Sequence, residues 1–401
     1  MLRFLTAGES HGKGLTGIVE GMPSGVEILV EEINNELKRR QQGYGRGARM
    51  KIESDRVEIL SGIRWGKTLG SPITLFIKNR DWDNWEKAMN PEKEYEGMHP
   101  PLTKPRPGHA DLAGLLKYQH LDIRNVLERS SARETAMRVA IGAMAKQFLK
   151  CFNIKIGSFV IGIGPKEKEI ETAYLDETEL LKLSILADNS IVRTPWKEKE
   201  DEFIEVIEKA IKNGDTVGGS FIVFATAVPP GLGSHVHWDR KLDAKIASGI
   251  MSIQAIKAVE IGDGVSLGKS LGSKVMDEIF YSKKRSFYRK TNHLGGIEGG
   301  ISNGMPVIVK ATMKPIPTLR KALNSVDIFT KESSLASYER SDVCAVPAAS
   351  VIGEAVLAWH IAEAFVEKFG GDSLEEVRKN FSFYIKQIVE TKWLKNSELK
   401  G

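Results

Sequence analysis

Three short stretches of this 401-residue chain place ionisable or hydroxyl-bearing side chains at the edges of apolar segments. They are Gly8–Gly12 (GESHG), Arg129–Thr135 (RSSARET) and Arg340–Ala348 (RSDVCAVPA). A hydrophobic core has no need of Ser, His, Arg and Asp at such positions, whereas a site for a phosphorylated, anionic ligand does. The stretches span almost the whole chain, so a shared site requires the fold to bring them together.

Two histidines are candidates for acid–base chemistry. His11 is flanked by glycines and a serine, so the backbone there can approach a ligand closely. His109 follows a Pro-Gly pair in a second, cationic loop. An imidazole titrates near neutral pH, and either histidine could act as a general acid. The structural alternatives are a strand-to-turn junction at His11 and an ordinary hydrogen-bonding role for His109.

Arginines are concentrated in and beside these loops: Arg40, Arg46, Arg49, Arg106, Arg133 and Arg340. A guanidinium is suited to gripping carboxylate and phosphate, although most surface arginines are only solvated charges. Ser130 and Ser131 precede a predicted helix, where backbone N–H groups and the helix dipole favour an anion. Ordinary helix capping explains the same two serines.

Further weak signals lie in the C-terminal half. Residues 291–304 are rich in glycine but match neither a Walker A loop nor the Rossmann spacing. Lys314 opens the stretch Lys314–Thr318 (KPIPT), where it could neutralise a phosphate or an electron-rich ring. Asp342 lies between Arg340 and the predicted helix at 346–365, and it is either a functional acid, a member of an Arg–Asp pair or an acid at the helix N-terminus.

The surrounding elements are predicted to be mixed helix and strand. Residues 131–150 form the clearest helix, with Ser131 and Glu134 at capping-box spacing and many alanines that allow close packing on two sides. Residues 346–365 form a second such helix. Short alternating segments at 26–30, 220–226 and 306–312 predict strands, and residues 31–42 predict a helix ending near Gly43. The pattern indicates an α+β layered protein.

Two segments stand apart from these elements. Residues 80–110 lack clear periodicity and predict a long active-site loop, which we interpret as a candidate lid. Residues 372–401 predict a charged, helical tail.

Composition narrows the function classes. The net charge of +5 is spread among charges of both signs, which does not favour nucleic-acid binding. Two cysteines without metal-ligand spacing suggest a reducing cytoplasm and no metal site. We expect no membrane span and no signal peptide.

Taken together, residues 1–365 resemble chorismate synthase. The resemblance rests on the three stretches above and on ordered matches at 39–49, 106–111, 214–219, 252–263, 292–304 and 314–318. It implies one chorismate-synthase-like domain over 1–401, with a β-α-β sandwich of helices between antiparallel sheets, and a homotetramer. Gln254 stands where Asn is common in the family, and the residues at His293 and Leu294 vary there.

The family performs the seventh and last step of the shikimate pathway, which serves aromatic amino acid biosynthesis. In this anti-1,4-elimination, 5-enolpyruvylshikimate 3-phosphate loses phosphate and a ring hydrogen to give chorismate. Reduced FMN is required without net redox change, so the enzyme is a flavoprotein lyase. By resemblance, His11 protonates the leaving phosphate, His109 stabilises the reduced flavin near N1, and Asp342 accepts a proton relayed through flavin N5.

The resemblance also assigns binding residues. The substrate would contact Ser10, Arg49, Arg106, Arg133 and Arg340. The FMN would contact Ser130, Ser131, Ala132, Gln254, Ala255, Gly299, Lys314, Pro315, Ile316, Pro317, Thr318 and Arg340. Arg40 and Arg46 line the same basic pocket or contact NADPH. Whether the chain reduces its own flavin with NADPH or relies on an external flavin reductase stays open.

Two other function classes compete with this lyase. A flavin oxidoreductase with similar loops would oxidise its substrate and turn over NADPH. A basic nucleic-acid-binding protein would bind with a steep salt dependence and leave the ordered His and Asp unexplained.

Overall fold

The chain forms two antiparallel sheets with long helices between them. The structure is a computed structural model and describes residues 1–47, 54–283, 286–339 and 341–390. The α-helices are α1 Val30–Gln41, α2 Trp82–Met89, α3 Asp111–Tyr118, α4 Arg124–Ser130, α5 Thr135–Lys150, α6 Glu177–Asp188, α7 Lys197–Asn213, α8 Leu242–Met251, α9 Gly272–Val275, α10 Val346–Phe369 and α11 Leu374–Glu390.

The strands fall into two main sheets and several two-stranded ribbons. They are β1 Arg3–Ala7, β2 Gly14–Glu20, β3 Val57–Ile59, β4 Ile63–Arg64, β5 Lys67–Thr68, β6 Ile73–Lys78, β7 Lys155–Ile163, β8 Lys166–Glu167, β9 Gly219–Thr226, β10 Ile256–Ile261, β11 Ile279–Ser282, β12 Ser286–Arg289, β13 Ile297–Glu298, β14 Ile301–Ser302, β15 Val307–Met313, β16 Asn324–Val326 and β17 Ser333–Leu335. One sheet has the order β1-β2-β6-β3 and the other β10-β15-β9-β7-β8, with antiparallel pairing throughout both.

Helices α5 and α10 form the central layer. Helix α5 packs on strands β2 and β6, α10 packs on β7 and β9, and the two helices pack on each other. Small residues bring them close, because a Cβ added at Gly142 would lie 2.4 Å from the Cβ of Ala355. The predicted β-α-β sandwich, with helices between antiparallel sheets, is therefore confirmed.

The central layer also carries a buried ion cluster, which we call the Glu354 cluster. Glu354 is fully buried in the middle of α10. Its carboxylate contacts Arg39 at 2.8 Å, Lys146 at 2.5 Å and Arg193 at 3.2 Å. Burial raises the pKa of this carboxyl, but Arg39 and Lys146 outweigh that effect and hold the pKa well below its usual range. Each charge in this cluster thus has an opposite charge beside it.

Helix α10 is long and apolar enough to cross a membrane by length and composition, and it alone meets that test among the described residues. However, 89% of the apolar window is buried inside the protein. The helix is accordingly the core helix of this fold.

Several sequence predictions are confirmed at the level of elements. The helices at 31–42 and 346–365 are α1 and α10, with Gly43 just beyond the end of α1. The strands at 220–226 and 306–312 are β9 and β15. The tail contains α11, and residues 391–401 lie outside the described ranges.

Residues 26–30 do not form the predicted strand. The backbone N–H of Val26 donates to the Thr68 hydroxyl, and that of Leu29 donates to the Gln147 side-chain carbonyl. These two donors are lost to a strand ladder, so the backbone pairing is confined to an isolated bridge of Glu27 with Lys67, and Val30 already begins α1.

The start of α5 and the predicted loop at 80–110 also differ from expectation. The Ser131 hydroxyl accepts from the backbone N–H of Arg133 in a 3₁₀ turn, and the Glu134 carboxylate accepts from the side chains of Thr6 and Arg138. Ser131 and Glu134 therefore form no capping box, and α5 begins at Thr135. Residues 80–110 contain α2 and a 3₁₀ turn at Lys93–Tyr95. Helix α2 has only eight residues and none of them is buried, so Trp82, Trp85 and Met89, although at helical spacing, are too few to identify it from the sequence.

Candidate functional site

A cavity of about 860 Å³ lies where the Gly8–Gly12 loop, the α4–α5 junction and the segment after β15 meet. Its size is typical of a site for a small molecule or cofactor. The described residues that line it include five cationic side chains, which are Arg40, Arg46, Arg106, Arg133 and Lys314. Three acidic side chains, Asp81, Glu339 and Asp342, also line it, so positive charge prevails.

The first wall is the loop that joins β1 to β2. Gly8 has φ +103°, and a Cβ there would lie 2.3 Å from the carbonyl oxygen of Gly14, so this sharp turn requires glycine. The loop presents Ser10 and His11 to the cavity. The hydroxyls of Ser10 and Ser131 are 3.0 Å apart, which joins this loop to the α4–α5 junction.

His11 is held by a carboxylate. Glu128 accepts from the backbone N–H of His11 at 2.7 Å, and its other oxygen lies 2.8 Å from His11 Nδ1. The indole of Trp85 lies against the imidazole, with ring centroids 4.1 Å apart. Arg124 lies 4.7 Å from the Trp85 ring centroid and 3.4 Å from Glu128. The position and plane of the imidazole are therefore fixed.

A fully buried amide ties this loop to the arginines. The Asn79 Nδ2 lies 2.7–3.3 Å from the carbonyl oxygens of Glu9, Ser10 and Gly12. Its Oδ1 accepts from Arg133 Nε at 2.9 Å. A single side chain at the end of β6 thus sets both the path of the His11 loop and the direction of a cavity arginine.

Asp55 lies between two of the cavity arginines. It bonds Arg133 Nη1 at 2.6 Å and lies 3.7 Å from Arg40 Nη1. Arg40 also donates to Thr135 and to the carbonyl of Ala132. Burial lowers the pKa of Arg40 to about 10, against the attraction of Asp55. The site therefore holds a buried cation at an electrostatic cost, which an anionic ligand would reduce.

The loop before α3 forms another wall of the cavity and carries His109. Its Nδ1 lies 2.5 Å from Asp111 Oδ1, and Arg106 Nε donates to the other Asp111 oxygen at 2.8 Å. Burial raises the pKa of the Asp111 carboxyl, but hydrogen bonds from His109 and Arg106 outweigh burial and hold the pKa well below its usual range. Arg106 Nη1 also donates to Thr318, which joins this wall to the segment after β15.

Asp342 enters the cavity just before α10. Its carboxylate accepts from the backbone N–H of Gly47 at 2.6 Å and pairs with Arg46 at 3.0 Å. The arginine pairing that the sequence left as an alternative is thus present, and it occurs inside the cavity.

The segment after β15 forms the floor. Lys314 donates its backbone N–H to Ala255, and partial burial with the nearby Lys257 lowers the pKa of the Lys314 ammonium. Gln254 lies beside this segment, and its Oε1 is buried without a hydrogen-bond partner among the described residues. A buried acceptor of this kind suits a ligand that presents an N–H group.

Comparisons with known proteins decide the family. Residues 2–366 match the sequence profile of the family described as Chorismate synthase. The chain is 56% identical over 390 residues to a chorismate synthase of Aquifex aeolicus (strain VF5), covering 96% of this chain and 98% of that one. It is also 56% identical over 384 residues to one of Alkaliphilus metalliredigens (strain QYMF), covering 96% and 99% of the two chains.

A solved structure titled "Crystal Structure of Chorismate Synthase" is 47% identical to this chain, with a TM-score of 0.79. The match covers 97% of this chain and 98% of the chain in that structure. The chain belongs to the chorismate synthase family. The family prediction made from the sequence motifs is thereby confirmed.

Most of the site residues assigned by resemblance to chorismate synthase share this one cavity. Its lining includes Ser10, His11, Arg40, Arg46, Arg106, His109, Ser130, Ser131, Ala132, Arg133, Gln254, Ala255, Lys314, Ile316, Pro317, Thr318 and Asp342. Their placement is observed, while their roles stay predictions. Arg49 and Arg340 lie outside the described residues.

Two described residues of the chorismate synthase assignment do not line the cavity within this chain. Pro315 is exposed beside Lys314, and Gly299 is exposed at the turn between β13 and β14. Gly299 has φ +59°, and no atom lies within 4 Å of a Cβ built there. In this single chain, that turn forms no wall of the site.

The structure adds residues that sequence reasoning did not assign to the chorismate synthase site. Asp55, Asn79, Asp111, Arg124 and Glu128 position the predicted residues, and Trp85 covers His11. Only Asp111 lay inside a quoted motif, and Glu128 is one position before another. Asn79 and Asp55 carry no local signal at all.

Proposed function

We propose that this chain eliminates phosphate from 5-enolpyruvylshikimate 3-phosphate, giving chorismate, with reduced FMN as cofactor. The observation that carries the proposal is the convergence of His11, the arginine cluster and Asp342 on one cavity. The substrate has two carboxylates and a phosphate, and the cavity offers four described arginines and Lys314. Arg49 and Arg340 would add to substrate binding.

In the proposed reaction, His11 is the general acid. The allylic C–O bond breaks, the phosphate leaves with the bonding electrons, and the His11 imidazolium gives its proton to the departing oxygen. A C–H bond of the substrate ring breaks at the opposite end of the 1,4-elimination, and its electron pair forms the new double bond. The ring hydrogen leaves as a proton, so no net oxidation or reduction occurs.

Asp342 is the proposed acceptor of that ring proton. Its carboxylate faces the cavity, and Arg46 and the Gly47 N–H hold it in place. His109 would stabilise negative charge on the reduced cofactor from the cavity wall, where Asp111 holds its Nδ1. The two acid–base groups and the charge-stabilising group are thus distributed over three walls.

The residues present fit a flavin. Gln254 offers a buried acceptor without a partner among the described residues, as an isoalloxazine N–H would require. Ser130, Ser131, Ala132, Ala255 and the segment Lys314–Thr318 would hold the cofactor, with Arg340 and the Gly299 turn as further contacts. When bound, reduced FMN would supply transient electron density to the allylic C–O bond. Trp85 and the rest of 80–110 would exclude water.

Three further proposals concern context. Arg40 and Arg46 could bind NADPH as reductant, and an external flavin reductase would otherwise supply reduced FMN. We also propose a homotetramer that works in the cytoplasm. Sedimentation of the purified protein would test the assembly, and NADPH-dependent flavin reduction without added reductase would decide the source of electrons.

The direct test is an anaerobic reaction of the purified protein with 5-enolpyruvylshikimate 3-phosphate and chemically reduced FMN. Chorismate and phosphate should form in equal amounts while the flavin stays reduced. A parallel reaction with oxidised FMN should give no product. Substrate oxidation coupled to NADPH consumption would instead support the oxidoreductase alternative, and no reaction despite FMN binding would overturn the proposal.

A further inference from the structure

Glu128 makes more contacts with the loop that carries His11 than are needed to hold that loop in place. Its side chain is 3% exposed, and its two oxygens receive two different N–H groups of one residue, the backbone and the ring of His11. Its own backbone carbonyl also accepts from the N–H of Ser10 at 3.1 Å. One oxygen on the His11 backbone would suffice to hold the loop, so the second oxygen serves the imidazole.

The carboxylate constrains the chemistry of the ring. A carboxylate only accepts hydrogen bonds, so Nδ1 of His11 must carry the proton in this contact. Nε2 then becomes the ring nitrogen that serves a ligand in the cavity. Trp85 lies against the face of the ring and Arg124 lies beyond Trp85, so rotation of the imidazole out of this orientation is blocked.

Arg124 completes the arrangement by balancing the charge. Its Nη1 lies 3.4 Å from Glu128, and its Nη2 lies 3.7 Å from Glu339 on the cavity wall. The carboxylate is therefore held between a permanent cation and the imidazole.

We propose that Glu128 is a positioning residue that fixes His11 with its proton on Nδ1 and directs Nε2 at the departing phosphate oxygen. The proposal rests on the proposed function, in which His11 is the general acid. It assigns to Glu128 the role that a buried carboxylate has beside a catalytic histidine in hydrolase triads, where the carboxylate sets tautomer and orientation.

The kinetic test is the isosteric substitution Glu128→Gln. The two N–H groups of His11 reach different oxygens of Glu128, and the introduced amide replaces one of these acceptors with an NH₂ group that only donates. We expect kcat to fall about 100-fold or more, while KM and the affinity for FMN change less than about 3-fold. The matched control is Glu134→Gln, a buried carboxylate that bonds Thr6 and Arg138 and does not line the cavity.

The two failures can be told apart. If the wild-type protein forms no chorismate, the proposed function is wrong. If the wild-type protein is active and Glu128→Gln keeps a wild-type kcat, the positioning role is wrong. An equal loss of kcat in Glu134→Gln would mean that any buried carboxylate near α5 has this effect, and would also overturn it.

A second readout needs neither substrate nor flavin. In protein labelled with ¹⁵N-histidine, magic-angle-spinning NMR distinguishes protonated from unprotonated ring nitrogens, and His11→Ala identifies the His11 signal. At pH values where His11 is neutral, we expect a protonated Nδ1 in the wild-type protein and loss of this single tautomer in Glu128→Gln. A wild-type His11 protonated on Nε2 would contradict the proposal, even if the variant failed to fold.

Discussion

Arg39 and Arg40 are neighbours at the end of α1, yet they belong to two regions that treat buried charge in opposite ways. Arg39 enters the Glu354 cluster, where Glu354, Glu36 and Asp188 surround it. Burial lowers the pKa of its guanidinium, but Glu354 and the other acids outweigh burial and raise the pKa above its usual value. Arg40 faces the cavity, where burial lowers its pKa to about 10.

The difference separates a structural use of charge from a functional one. In the Glu354 cluster each charge has an opposite charge beside it, and the ion pairs join helices α1, α5, α6 and α10. In the cavity Asp55 only partly compensates Arg40, while Arg133 and Arg46 add repulsion. The cavity lining carries more cationic than acidic side chains, as a site for an anionic ligand would.

The largest expected effect comes from breaking the structural region. Glu354→Gln leaves Arg39, Lys146 and Arg193 without their shared carboxylate. Because uncompensated buried charges are costly, we expect the free energy of unfolding to fall by about 3–5 kcal/mol. Denaturant titration would measure it. The control is Glu367→Gln on an exposed face of the same helix, and a similarly small loss in both variants would contradict the contrast between the regions.

Breaking the functional region should affect turnover rather than folding. We expect His11→Ala and Asp342→Ala each to lower turnover at least about 100-fold, as acid–base groups do, while FMN still binds. Chorismate formation and flavin titration would measure the two quantities. His237→Ala is the matched control, because His237 forms a similar pair with Asp239, 2.6 Å apart, on the surface. Wild-type turnover in either site variant would remove that residue from the mechanism.

Substitutions of Arg39 and Arg40 test the difference between the two regions at neighbouring positions of α1. Arg39→Gln should cost about 2 kcal/mol of stability, since it removes charged hydrogen bonds, with little effect on substrate affinity. Arg40→Gln should cost less stability, because its charge is already held at a lowered pKa, and should weaken binding of 5-enolpyruvylshikimate 3-phosphate about 10-fold or more. Thermal unfolding would measure the loss of stability, and calorimetry would measure the affinity for 5-enolpyruvylshikimate 3-phosphate. Equal effects of the two substitutions on both measurements would contradict the distinction.

The sequence predicted elements that are rich in apolar residues along most of their length. Helix α10 and strands β9 and β15 are buried over most of their residues, so their apolar runs could be recognised without a structure. Helix α2 could not, because it has only eight residues and none of them is buried. Residues 26–30 look like a strand, but side chains of Thr68 and Gln147 accept from the backbone N–H groups of Val26 and Leu29.

The site divides in the same way. His11, Arg133 and Asp342 sit in motifs dense enough to recognise locally. Glu128 and Asn79 are single polar residues whose roles depend on contacts with partners 117 and about 70 positions away. Local sequence motifs therefore identify the candidate acid–base and binding residues. The residues that position those side chains can be identified only from the folded structure.

The smallest effect expected concerns the carboxylate beside His109. Asp111 has a lowered pKa in the folded protein, so it contributes stability that is present above its unfolded pKa and lost as pH falls below about 4. Asp111→Asn should therefore lower stability by about 1 kcal/mol at pH 7, and the difference from wild type should shrink toward pH 3. Melting temperatures from pH 7 to 3 would show this. The exposed Asp201→Asn should have almost no effect at any pH, and a pH-independent loss in Asp111→Asn would show that packing, not charge, is what Asp111 contributes.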